Sequence, residues 1–157
     1  MKALPLALAS LLVAAAGASA HDDVGRPETF AAGAPGTRTG EARTIDLTIH
    51  EQQDGRMSFG VGDLEAQRGE QVRFVVRNDG KALHEFRLDS KAGNAAHKAM
   101  MAEMPGMVHD DANAVSVAPG QTKTLVWRFT KPGTYEFACL LPGHYEAGMH
   151  GRVVVGK

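Results

Sequence analysis

One cysteine stands in the whole chain, and its surroundings constrain the fold more than anything else in the sequence. Tyr135-Glu136-Phe137-Ala138-Cys139 reads as a strand running into Leu140-Leu141-Pro142-Gly143-His144, and Met149 follows His144 at the interval that separates His144 from Cys139. Gly151-Arg152-Val153-Val154-Val155 comes directly after and reads as another strand. A thiol, an imidazole and a thioether therefore share one short loop pinned at both ends.

Those three groups form a soft, mixed donor set that a second imidazole completes. His84, in Asn78-Asp79-Gly80-Lys81-Ala82-Leu83-His84-Glu85-Phe86, supplies it. Two His and one Cys in a near-trigonal plane, with a weak axial Met, hold copper in blue-copper sites. Soft sulfur in low coordination suits Cu(I) and imidazole suits Cu(II), so one geometry accommodates both. Zinc more often takes four Cys/His ligands and seldom a thioether. A Cys–His nucleophile pair needs an electropositive setting, often a helix N-terminus, whereas Cys139 follows a strand and precedes Leu-Leu-Pro-Gly. Copper outweighs zinc, a nucleophile and a plain buried cysteine. A trinuclear oxidase cluster would need His-x-His pairs, which the sequence lacks. An enzyme is not expected.

At these residues the chain resembles the cupredoxins. Pro132-Gly133-Thr134-Tyr135-Glu136-Phe137-Ala138-Cys139, Pro142-Gly143-His144 and Met149 carry the likeness, over about residues 41–157. Leu83-His84-Glu85-Phe86 and the Met/His-rich insert after it make it most similar to the periplasmic cupredoxins linked to bacterial copper tolerance. The resemblance implies one type 1 copper held by His84, Cys139, His144 and Met149. It also implies that His144 passes the electron at the surface, ringed by Leu140, Leu141, Pro142 and Tyr145, with a redox partner docking there briefly. One departure stands out. Azurins and plastocyanins usually have Asn after the first ligand His, and this chain has Glu85; a tetragonally distorted, greener site is the expectation.

The rest of the chain reads as half-buried strands. Ile45, Leu47 and Ile49 alternate with polar residues, as do Met57, Phe59 and Val61 after the Asp54-Gly55 turn. Val72, Phe74 and Val76 repeat the pattern, and His84, Phe86 and Leu88 share an inward face. Residues 114–117, 122–129 and 134–138 close the set, with Pro119-Gly120 and Pro132-Gly133 as turns. Trp127 and Tyr135 read as core, and Tyr135 sits where β-sandwiches place a corner tyrosine bonded to backbone. Eight or so short strands at this spacing predict an all-β Greek-key sandwich, cupredoxin-like, with one short helical insert.

That insert is residues 91–103, rich in Ala, Lys and Met and stopped by Pro105-Gly106. His97, Met100, Met101 and Met104 fall on one helical face. Methionines fill irregular gaps well, so packing over one end of the sandwich is the simpler reading. The alternative reading adds Met107 and His109 and makes the same residues a second, Cu(I)-selective site.

Met1-Lys2, the apolar run 3–17 and Ala18-Ser19-Ala20 form a cleavable secretory signal, too short and too rich in small residues for a stable membrane anchor. Export places the chain in the periplasm, where a lone cysteine cannot form an internal disulfide. Residues 21–40 read as a flexible Gly/Pro-rich tail, and residues 41–157 as one domain. His21, a new N-terminus after cleavage, offers amine and imidazole to Cu(II), but a solvated terminus is the simpler expectation. The formal charge is −1 without a basic patch or charge run, which argues against nucleic acid and strong membrane attraction. Two functions fit. Copper handling in the periplasm is favoured by the Met/His insert and Glu85; an electron carrier of azurin/plastocyanin type is the alternative.

Overall fold

A computed structural model of the chain describes residues 30–104 and 111–157. The signal segment 1–20, His21, Met107 and His109 lie outside the described residues. In chain order the elements are β1 (Gly33–Pro35), β2 (Arg43–Glu51), β3 (Met57–Ser58), β4 (Leu64–Gln67), β5 (Gln71–Asn78), β6 (His84–Asp89), α1 (Lys91–Glu103), β7 (Ala114–Val117), β8 (Thr122–Phe129), β9 (Gly133–Ala138) and β10 (His150–Gly156).

Alternation decides which sheet face is dry. Val72, Phe74 and Val76 of β5 are fully buried, with Ile45 and Leu47 of the parallel neighbour β2 opposite Phe74 and Val76, and Trp127 and Leu125 of the antiparallel neighbour β8 opposite Val72 and Phe74. The first sheet runs β1-β8-β5-β2-β3 and the second β4-β10-β9-β6-β7. They pack as a β-sandwich on an aromatic core. Phe86 meets Phe59 edge-on at 5.5 Å, stacks on Phe137 at 5.6 Å and lies 5.1 Å from Phe74, so residues of both sheets touch one ring. Truncating such a ring to Ala typically costs about 3–5 kcal/mol. Tyr135 donates its hydroxyl to the Lys131 carbonyl at 3.1 Å, closing the corner ahead of β9.

Two strands depart from the expected eight. β1 falls within residues 21–40, which the sequence assigns to a flexible tail. Instead Gly33, Ala34 and Pro35 pair with Phe129, Arg128 and Trp127. Ala32 is buried, its carbonyl accepts from the Trp127 indole at 3.3 Å, and Phe30 lies 5.5 Å from that indole. Gln71 ties down the following segment through Thr37 and the Glu41 carbonyl. The folded unit thus includes residues 30–40. β4 is the second addition; it runs parallel to β10, with Leu64 opposite Val153 and Ala66 opposite Val155.

α1 occupies the expected residues. Ser90 caps it, its hydroxyl accepting from the Gly93 N–H at 3.0 Å, one of the orphan donors every helix start must satisfy. Asn94, His97 and Met101 form its buried face. Asn94 reaches the carbonyl and carboxylate of Glu136 on β9. The methionine stripe divides: Met101 is buried, Met100 is 37% exposed, and Met104 is the half-buried C-cap.

Candidate metal centre

Three segments meet at one end of the sandwich. The first is the β5–β6 turn. Asn78 ends β5 fully buried, and its amide donates to the carbonyls of Ala82 and Val117 at 2.8 Å each, while its Oδ1 accepts from Gly80 N–H. This staple sets the start of β6, where His84 pairs with Val117. The second segment is the loop 139–149. Ala138 and His150 face each other in the β9–β10 ladder, Cys139 N–H donates to the Met149 carbonyl at 3.0 Å, and Met149 N–H to the His144 carbonyl at 3.1 Å. Gly143 at φ +85° and Gly148 at φ +106° take the left-handed turns this closure requires. The third is the end of β2, which contributes Glu51.

One donor atom each from His84, Cys139 and His144 lie within 4.8 Å of one another, a group able to hold a metal ion. Cys139 Sγ is 3.3 Å from His144 Nδ1, and the two imidazole rings are 4.7 Å apart, inclined at 50°. His84, Cys139 and Met149 are fully buried, whereas His144 is partly exposed. Met149 closes the loop that holds Cys139 and His144 and belongs to the buried core. Leu140 is buried too, so Leu141, Pro142 and Tyr145 are the exposed or half-exposed neighbours of His144 in the loop.

The environment of these groups calls for a cation. Burial pushes the Cys139 thiol up to about 12, against the pull of the Glu85 and Leu141 N–H groups, with the Glu85 charge adding to the rise. Glu85 N–H reaches Sγ at 3.4 Å. A thiol so disposed ionises only when a metal displaces its proton. His144 is lowered by burial first and by His84 second, keeping its ring neutral and available to a metal. His84 Nε2 lies 3.0 Å from Glu51 Oε1, the carboxylate accepting, while its Nδ1 is buried with no hydrogen-bond partner among the described residues. A buried imidazole nitrogen still open for a bond, on a ring grouped with a thiol and a second imidazole, fits a metal ligand. Thiolate with two imidazoles suits copper.

Glu51 is the residue sequence reasoning missed. Its Oε1 also accepts from Lys81 N–H and Ala82 N–H, each at 2.8 Å. The Ala82 N–H first, and His84 second, draw its carboxyl down to about 2. Nothing local in Glu51-Gln52-Gln53-Asp54-Gly55 distinguishes it from a solvated strand end. The second candidate set is less assembled. His97 and Met101 face inward from α1, Met100 faces outward, and His97 Nδ1 lies 3.9 Å from Asp111 Oδ2.

The comparisons agree with this geometry. A family described as copper binding proteins, plastocyanin/azurin family, matches residues 47–156. The chain belongs to that family, its fold is that of a cupredoxin, and its cofactor is a type 1 copper. It is 45% identical over 140 residues to the copper-resistant cuproprotein CopI of Rubrivivax gelatinosus, covering 89% of this chain and 79% of that one. It is also 36% identical over 168 residues to the protein of the same name from Pseudomonas aeruginosa, covering 88% and 89%. Among solved structures, auracyanin B superposes with a TM-score of 0.60 at 22% identity, over 78% of this chain and 95% of that one, a likeness of fold.

Proposed function

We propose that the chain is an exported, periplasmic copper protein of copper tolerance, in which His84, Cys139, His144 and Met149 hold one copper. The observation that carries the ligand set is His84, whose ring offers a nitrogen within 4.8 Å of a thiol and a second imidazole and whose buried Nδ1 has no hydrogen-bond partner among the described residues. Copper tolerance rests on the two relatives named as copper-resistant cuproproteins. Bound copper supplies one-electron cycling between Cu(I) and Cu(II) in this donor set.

The residues would divide the work. Cys139 would give up its proton and hold the copper as a thiolate, with His84, His144 and Met149 as the other donors. His144, the partly exposed member of the set, is the exit for an electron and the centre of a surface for transient docking with a redox partner. The protein binds and cycles metal without transforming an organic substrate, so it is not an enzyme. For His97, Met100, Met101 and Met104, packing over one end of the sandwich is the favoured reading; with Met107 and His109, a second site for Cu(I) is the alternative, softness again being its basis.

The test is Cys139→Ala. The copper(II)-loaded wild type absorbs strongly in the visible through thiolate-to-copper charge transfer and bleaches on reduction. The variant has no thiol and loses the band. An intense band that survived Cys139→Ala would dismiss the assignment.

A further inference from the structure

From Glu51 we infer a positioning residue of the copper centre, one that aims His84 at the metal and biases the site toward Cu(II). The inference rests on His84 being a ligand, as proposed above. Glu51 ends β2, in the first sheet, whereas His84 opens β6, in the second. A single carboxylate oxygen collects three contacts: Lys81 N–H at 2.8 Å, Ala82 N–H at 2.8 Å and His84 Nε2 at 3.0 Å. The two backbone donors immobilise the oxygen, since neither amide can turn away without unwinding the turn that Asn78 staples.

Room for the carboxylate is reserved. A Cβ at Gly80 would overlap Glu51 Oε1 and crowd its Cδ, so the glycine keeps the slot open. An acceptor fixed on one side of the ring places the ring proton on Nε2. That leaves the Nδ1 lone pair for the metal, and Nδ1 is the buried atom with no partner. Metal-ligating histidines commonly donate their other N–H to such an acceptor, which sets the tautomer and raises ligand basicity. A full negative charge in that role stabilises the more highly charged oxidation state.

The experiment uses the full mature chain with copper alone as the probe. Glu51→Gln retains an acceptor oxygen for the Lys81 and Ala82 amides but removes the charge. It should melt like the wild type, bind Cu(II) roughly 10–100-fold more weakly and bind Cu(I) with little change. Each tenfold loss confined to Cu(II) raises the reduction potential by about 59 mV. Glu51→Ala, which frees the ring as well, should shift the potential further and broaden the EPR signal. In the Cu(I) protein, nitrogen NMR should find the His84 proton on Nε2, protected from exchange in the wild type and exchanging faster in Glu51→Ala. A wild-type potential in Glu51→Gln, or a His84 proton on Nδ1, would overturn the inference. His84→Ala separates the two levels. Loss of the visible band there, with an unchanged potential in Glu51→Gln, sinks the role of Glu51 alone; a band that persists in His84→Ala removes the ligand reading beneath it.

Discussion

Cys139 Sγ lies 3.3 Å from His144 Nδ1, inside a loop whose first residue donates its N–H to the carbonyl of its last, Met149, at 3.0 Å. Sulfur and nitrogen are thus held at contact distance by a loop whose ends the backbone ladder of β9 and β10 fastens.

Copper uptake should release the Cys139 proton. The thiol sits at about 12 in the folded protein against an ordinary value of 9.0, so at neutral pH it is protonated until the metal replaces the proton. His144, shifted down, has no proton to give there. For this group, apparent Cu(II) affinity should weaken by roughly tenfold per unit as pH falls from 8 to 6. The sign for folding runs the other way. The raised value stabilises the metal-free fold fully below about pH 9, and this contribution is lost as pH rises toward 12. Proton release measured in two buffers of different ionisation enthalpy checks the first statement, and alkaline melts of the metal-free and copper forms check the second. Uptake without proton release would contradict both.

Met149→Leu should keep copper and raise the reduction potential. Met149 is fully buried in the core cluster, so a swap that nearly conserves volume costs under ~1.5 kcal/mol. What disappears is a weak donor to Cu(II). Voltammetry of the two proteins decides it; a lowered potential, or loss of copper, would remove Met149 from the axial position.

Glu85→Asn should turn the colour from green toward blue. The Glu85 side chain is buried, and its charge opposes ionisation of Cys139. Its N–H bond to Sγ belongs to the backbone and survives the substitution. Removing the charge while keeping that bond isolates the carboxylate's effect on geometry. The variant should show a weaker band near the blue end of the visible range and an EPR signal closer to axial. Superimposable spectra would mean that Glu85 plays no part in the distortion.

Legibility in the sequence followed locality. The loop 139–149 carries its thiol, imidazole and thioether within a few residues, and these and their bracketing strands were readable there. α1 was readable from its Ala/Lys/Met content and the Pro105-Gly106 beyond it. β1 was not, because Gly33-Ala34-Pro35 has no alternation and becomes a strand only by pairing with β8. β4 hides for a similar reason: Leu64-Glu65-Ala66-Gln67 favours helix by propensity, and β10 overrides that preference. Glu51 lies in another sheet from its histidine, and no spacing rule reaches across a sandwich.

Replacing Met100, Met101, Met104 and Met107 with Leu should lower Cu(I) capacity and leave the visible band intact. The described part of the stripe splits, Met101 inward and Met100 outward. Each swap nearly conserves volume and costs under ~1.5 kcal/mol. Titration of the reduced protein should find more than one Cu(I) per chain in the wild type and one in the variant, with poorer survival of a copper-challenged host. A single equivalent in the wild type would reduce the stripe to packing.

The ladder that joins Ala138 to His150 has a wider consequence. Because both ends of the donor loop are fastened to the same pair of strands, the residues between them work as a cartridge. Its exposed positions, such as Pro142 and Glu146, can vary without disturbing the aromatic interior, provided the two seams still meet. Descendants of such a chain can therefore retune colour and affinity by swapping one short peptide, leaving the histidine supplied from β6 as the fixed contact into which every cartridge must plug.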